Sequence, residues 1–93
     1  MPNELSPIVS SLITLLNNIN DLVSISNKRQ EARDVMKALC IYADNSKFIF
    51  PESTQNKIAR FNSVLLDSRP ITITYLVMDI AQDILNAGIG RKV

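Results

Sequence analysis

Apolar residues recur along this chain in steps of three and four, a spacing that predicts helices rather than strands. Between positions 8 and 25 they fall into two parallel sets. Ile8, Leu12, Leu15, Ile19 and Leu22 form one; Val9, Ile13, Leu16 and Val23, with Asn20 among them, form the other. Ser6 and Pro7 precede them. Serine is a good N-cap, and proline is tolerated at the first helical position because its missing N–H would be unpaired there. The first helix is read over 6–25. Ser26-Asn27 breaks it, and either residue can cap a second helix over 28–44, whose inner face is Ala32, Val35, Met36, Leu39 and Ala43.

The connection from Asn45 to Glu52 is the longest. It holds Phe48, Ile49, Phe50 and Pro51, an apolar loop expected to fold back as a lid over the core. A third helix follows over 52–66, with Ile58, Phe61 and Leu65 inward. Asp67-Ser68-Arg69-Pro70 ends it and starts the fourth, with Asp67 or Ser68 as cap. The fourth segment opens with two competing signals. Ile71-Thr72-Ile73-Thr74-Tyr75 alternates and is rich in β-branched residues, which favours a strand. Downstream, Leu76, Val77, Ile80, Ile84 and Ala87 keep helical steps without a break, so a helix is predicted over 70–87, with Gly88 as the C′ residue. Four helices with short connections, covering about three quarters of the chain, predict an all-α, antiparallel four-helix bundle or a close variant. One domain spans 1–93, with 1–5 and 88–93 as flexible tails.

Composition narrows the function. The 93 residues hold two glycines, no histidine and one cysteine, are 46% apolar, and carry a net charge of +1. Without histidine the commonest general base and neutral metal ligand are missing, so neither a metal nor a cofactor is expected. Asp79 and Asp83 lie four apart, too few oxygen ligands for a hard cation; they are read as a solvated acidic edge. Cys40 has no histidine to activate it and is read as a packing residue. The near-neutral charge argues against a large nucleic-acid or membrane footprint. Polar residues interrupt the run from Ile8 to Ile25, so no membrane span is expected. The lone cysteine and the absence of a signal-like start point to the cytoplasm.

The remaining signals concern partners. Helices one and four carry two apolar seams where a surface helix needs one stripe. On helix four the inner seam is Ile73, Val77, Ile80, Ile84 and Ala87. The second is Ile71, Thr74, Met78, Ala81 and Leu85, which points away from Leu76 and is read as a protein interface, most simply between two copies of the chain. The alternative is that the Phe48–Phe50 loop covers it. Asn20 and Asn62 fall at positions that look buried, where a polar side chain either fixes register or bonds a helix end. Arg29, Arg33 and Lys37, followed by Ile41, form a basic stripe on helix two that either meets an acidic partner or is solvated. Helix three carries Asn56, Lys57 and Arg60, residue types used in DNA recognition, but the connection before it is too long for a helix-turn-helix. The sequence thus points to a non-catalytic helical interaction protein — adaptor, inhibitor, small chaperone or regulatory subunit — that self-associates and has no small-molecule substrate. A small DNA-binding regulator is the alternative.

Overall fold

The structure is a computed structural model that describes residues 7–90. It contains four helices and no strand among those residues: α1 Pro7–Val23, α2 Arg29–Asn45, α3 Glu52–Val64 and α4 Pro70–Gly90. Of the described residues, 84% are helical. α1 packs on α2 and on α4, and α3 packs on α4. The start of α2 lies beside the end of α3, and the end of α4 beside the start of α3. The helices therefore form a bundle with antiparallel neighbours, extending 41 × 23 × 23 Å.

The two apolar sets of α1 merge into one broad inner face. Val9, Leu12, Leu16, Ile19 and Val23 are buried, and Ile8, Ile13, Leu15 and Leu22 flank them half-buried. On α2 the buried residues are Ala32, Met36, Leu39 and Ala43, with Val35 at the margin. Ile58, Phe61 and Leu65 come from α3 and its last turn; Ile73, Val77, Ile80 and Ile84 come from α4. The segment Ile71–Tyr75 is helical. Ile73 enters the core while Ile71 and Tyr75 stay exposed, so tertiary burial at helical spacing overrides local β propensity.

Several predicted ends move. Ser26–Lys28 form a single 3-10 turn, and the N-cap of α2 is Lys28, which makes no side-chain cap bond; neither Ser26 nor Asn27 holds that position. Lys28 instead pairs with Glu31 at 3.4 Å on an exposed surface. α4 begins at Pro70, and the Ile73 N–H donates to the Arg69 carbonyl. Asp67 and Ser68 belong to the turn closing α3, where both backbone N–H groups donate to Val64. Gly88 does not end α4, which continues to Gly90. Ser6 and residues 1–5 and 91–93 lie outside the described residues.

The end of α2 is a Schellman turn built on a residue that is not glycine. Lys47 has φ 62°. The Phe48 N–H donates to Ala43 at 2.9 Å and the Lys47 N–H to Asp44 at 3.1 Å. A left-handed lysine costs about 1 kcal/mol or more relative to an unstrained position. The turn sends Phe48 back against the core, where it meets Phe50 edge-on with ring centroids 5.6 Å apart. The loop does fold back as predicted, but over the α2–α3 side rather than over the second seam of α4.

Candidate functional site

α3 carries the fewest apolar residues of the four helices, and polar side chains fasten both its ends. At its start, Asp83 of α4 accepts hydrogen bonds from the hydroxyls of Ser53 and Thr54, each at 3.2 Å. Lys57 Nζ lies 3.1 Å from the same carboxylate. Thr54 is wholly buried, so Asp83 satisfies a donor that would otherwise have lost water without replacement. Asp79, four residues earlier, is exposed, and the two carboxylates do not share a site. Among the described residues no cluster of three or more His, Cys, Asp or Glu could hold a metal ion.

At the other end of α3, arginines from α2 cap its open carbonyls. Arg29 Nη1 donates to the carbonyls of Leu65 at 2.8 Å and Ser68 at 2.7 Å. Arg33 Nη2 donates to Asn62 at 3.0 Å. Cations at a helix C-terminus also complement its dipole. Two members of the basic stripe therefore serve the fold, while Lys37 and Ile41 remain exposed. The Asn62 side chain is exposed rather than buried. Asn20 is half-buried, and its Oδ1 atom is sealed from solvent with no hydrogen-bond partner among the described residues.

Two surfaces stand out. The first is the outer face of α4. Ile71, Tyr75 and Met78 are 59%, 63% and 55% exposed, and their i, i+4, i+7 spacing stacks them along one line. Thr74 is half-buried beside them. Ala81 and Leu85, from the same predicted seam, pack instead against the core margin. The reason is geometric: a seven-residue step falls about 20° short of two full turns. From Ile71 to Leu85 the line therefore swings toward the core. Tyr75 takes the outermost place, a residue the seven-residue reading passed over.

The second surface is the edge between α2 and α3. It holds two hollows that meet at Cys40. One, of about 390 Å³, is lined by Ala43, Asp44, Phe48, Phe50 and Ile58; the other, of about 380 Å³, by Arg33, Met36, Lys37 and Asn62. Burial raises the Cys40 thiol above its ordinary pKa, as a packing role requires. A further shallow hollow lies between α1 and α2, beside Thr14, Leu15, Ala38 and Tyr42.

The residues of the DNA reading share one side of α3, but not all are free. Asn56 and Arg60 are exposed on α3, whereas Lys57 is held by Asp83. No helix among the described residues is long and apolar enough to cross a membrane. No protein-family model matches the chain, and comparison with curated proteins and with solved structures finds none similar to it.

Proposed function

We propose that the protein is a non-catalytic helical interaction protein that self-associates through the outer face of α4. The observation that carries this reading is the line of Ile71, Tyr75 and Met78, all more than half exposed on one helix face. Contiguous apolar surface of this kind is uncommon on monomers and marks contact sites. Thr74 and Ala81 beside the line are small, so a second helix can approach closely. A twofold axis through the strip sets it against its own copy, and cyclic dimers are the commonest soluble oligomers. A role as adaptor, inhibitor, small chaperone or regulatory subunit follows from binding without chemistry. The lone Cys40 suits a reducing compartment such as the cytoplasm. The DNA-binding alternative ranks lower because Lys57, its central cation, is already paired with Asp83.

Light scattering coupled to size exclusion tests the proposal. The wild type should run at the mass of a dimer. Met78→Asp should run as a monomer with an unchanged helical circular dichroism spectrum, because Met78 makes no part of the core. A fully desolvated apolar anchor commonly contributes more than about 1 kcal/mol. A wild type that stays monomeric at high concentration overturns the reading.

A further inference from the structure

We infer that two copies of the chain meet along α4 in antiparallel order, with Arg69 of each set against Asp79 of the other; this rests on the self-association proposed above and specifies its geometry. Ile71 and Met78, 59% and 55% exposed, are the apolar ends of the α4 strip. Arg69 and Asp79 lie just beyond those ends. Both are exposed, and among the described residues neither makes an ion pair. Asp83, the only other charged residue of α4, is turned to Lys57 on α3. Arg69 also stands at the positive end of the α4 dipole, where a cation is disfavoured unless an anion joins it.

The apolar pair and the charged pair share one centre. Ile71 and Met78 are centred between Thr74 and Tyr75, and Arg69 and Asp79 are centred on Thr74. A twofold axis crossing α4 there brings both sets into register at once. It lays Ile71 on the second copy's Met78, and it sets Arg69 within about 1.5 Å, one helical step, of level with the second copy's Asp79. Each Tyr75, 63% exposed, then stands over the second copy's Thr74, which is small and half-buried and leaves room for the ring. In a parallel pair arginine would sit level with arginine and aspartate with aspartate, and about 15 Å of helix would separate the opposite charges. The self-complementary order is therefore the antiparallel one.

Charge reversal and cross-linking of the full chain test the order. In analytical ultracentrifugation Arg69→Asp and Asp79→Arg should each dimerise about ten-fold or more weakly than the wild type, since two ion pairs become two like-charge contacts. An equimolar mixture of the two variants should recover association as a heterodimer, because both contacts then join opposite charges. In a Cys40→Ser background, Ile71→Cys and Met78→Cys should form a disulfide with each other when mixed and neither with itself. Like positions lie about 10 Å apart along the axis in this order, beyond the Cα separation that a disulfide spans. Self-linking of each cysteine variant marks a parallel pair and overturns the inference while leaving the strip as the interface. So does a dimer that neither charge reversal weakens, or a mixture that does not recover. A monomeric wild type overturns the self-association itself, and a dimer in which no cysteine pair links removes α4 from the interface.

Discussion

Asp83 is the side chain on which the attachment of α3 depends most. Replacing it by alanine removes the acceptor for Ser53 and Thr54 and the counter-ion of Lys57. Thr54 is fully buried, so its orphaned hydroxyl costs about 1–3 kcal/mol. A bond back to its own helix carbonyl recovers part of that. The Lys57 pair is partly exposed, 33% and 19% at the two side chains, and solvent screening holds its share to about 0.5–1 kcal/mol. The Ser53 bond is exposed and adds little. The expected loss for Asp83→Ala is about 2–3 kcal/mol, or roughly 10–20 °C in Tm for a domain of this size. Urea unfolding followed at 222 nm measures it. Thr54→Val alone should cost about 1 kcal/mol, and in the Asp83→Ala background much less, because the donor and its acceptor form one unit. If Asp83→Ala unfolds within about 0.5 kcal/mol of the wild type, or if the two substitutions add fully, the carboxylate does not serve the buried hydroxyl and the reasoning fails.

Further outcomes follow from other sites. Lys47→Gly should raise stability by about 1 kcal/mol in the same urea assay, because glycine adopts positive φ without a Cβ clash; no gain would mean that the lysine is unstrained there. Arg29→Ala should destabilise by about 2 kcal/mol through loss of two charge-assisted bonds, and Arg29→Lys should restore only part, since an ammonium lacks the forked geometry. Cys40 should alkylate more slowly at neutral pH than an exposed thiol, with its pH–rate midpoint shifted upward: burial favours the neutral thiol, so less thiolate is present at any given pH. Its contribution to stability is complete below the unfolded thiol pKa and declines as pH rises through the folded one.

The helices were legible because their inner faces keep a 3.6-residue period over several turns, and because glycine interrupts none of them before Gly88. The core list followed for the same reason: Met36, Leu39, Phe61, Ile80 and Ile84 are where the spacing places them. Helix ends were less legible. Caps depend on a few dihedral angles, and the end of α2 rests on a left-handed lysine that composition does not flag. The polar fastenings of α3 were not legible at all. Arg29 reaches Leu65 and Asp83 reaches Thr54 across 36 and 29 positions of chain, and the pattern of charges on one helix says nothing of which carbonyl or hydroxyl will stand opposite. The basic stripe therefore read as surface. The outer strip of α4 was half legible: a seven-residue step found Ile71 and Met78, but the same step carried Leu85 to the core margin and missed Tyr75.

The position of α1 has a consequence in time. It packs both on α2, the helix that follows it, and on α4, the last of the described helices. During synthesis α1 and α2 can pair as a hairpin as soon as both have emerged. The side of α1 that meets α4 then stays uncovered while α3 is made and until α4 leaves the ribosome. At about 5–20 residues per second that interval lasts some seconds, far longer than a hairpin of helices needs to form. Throughout it Leu12, Leu16 and Ile19 sit in a half-built core. Nascent chains are thus most exposed to mispairing and to chaperones between the emergence of α2 and that of α4. Slow codons between α2 and α4 would lengthen that window rather than aid folding.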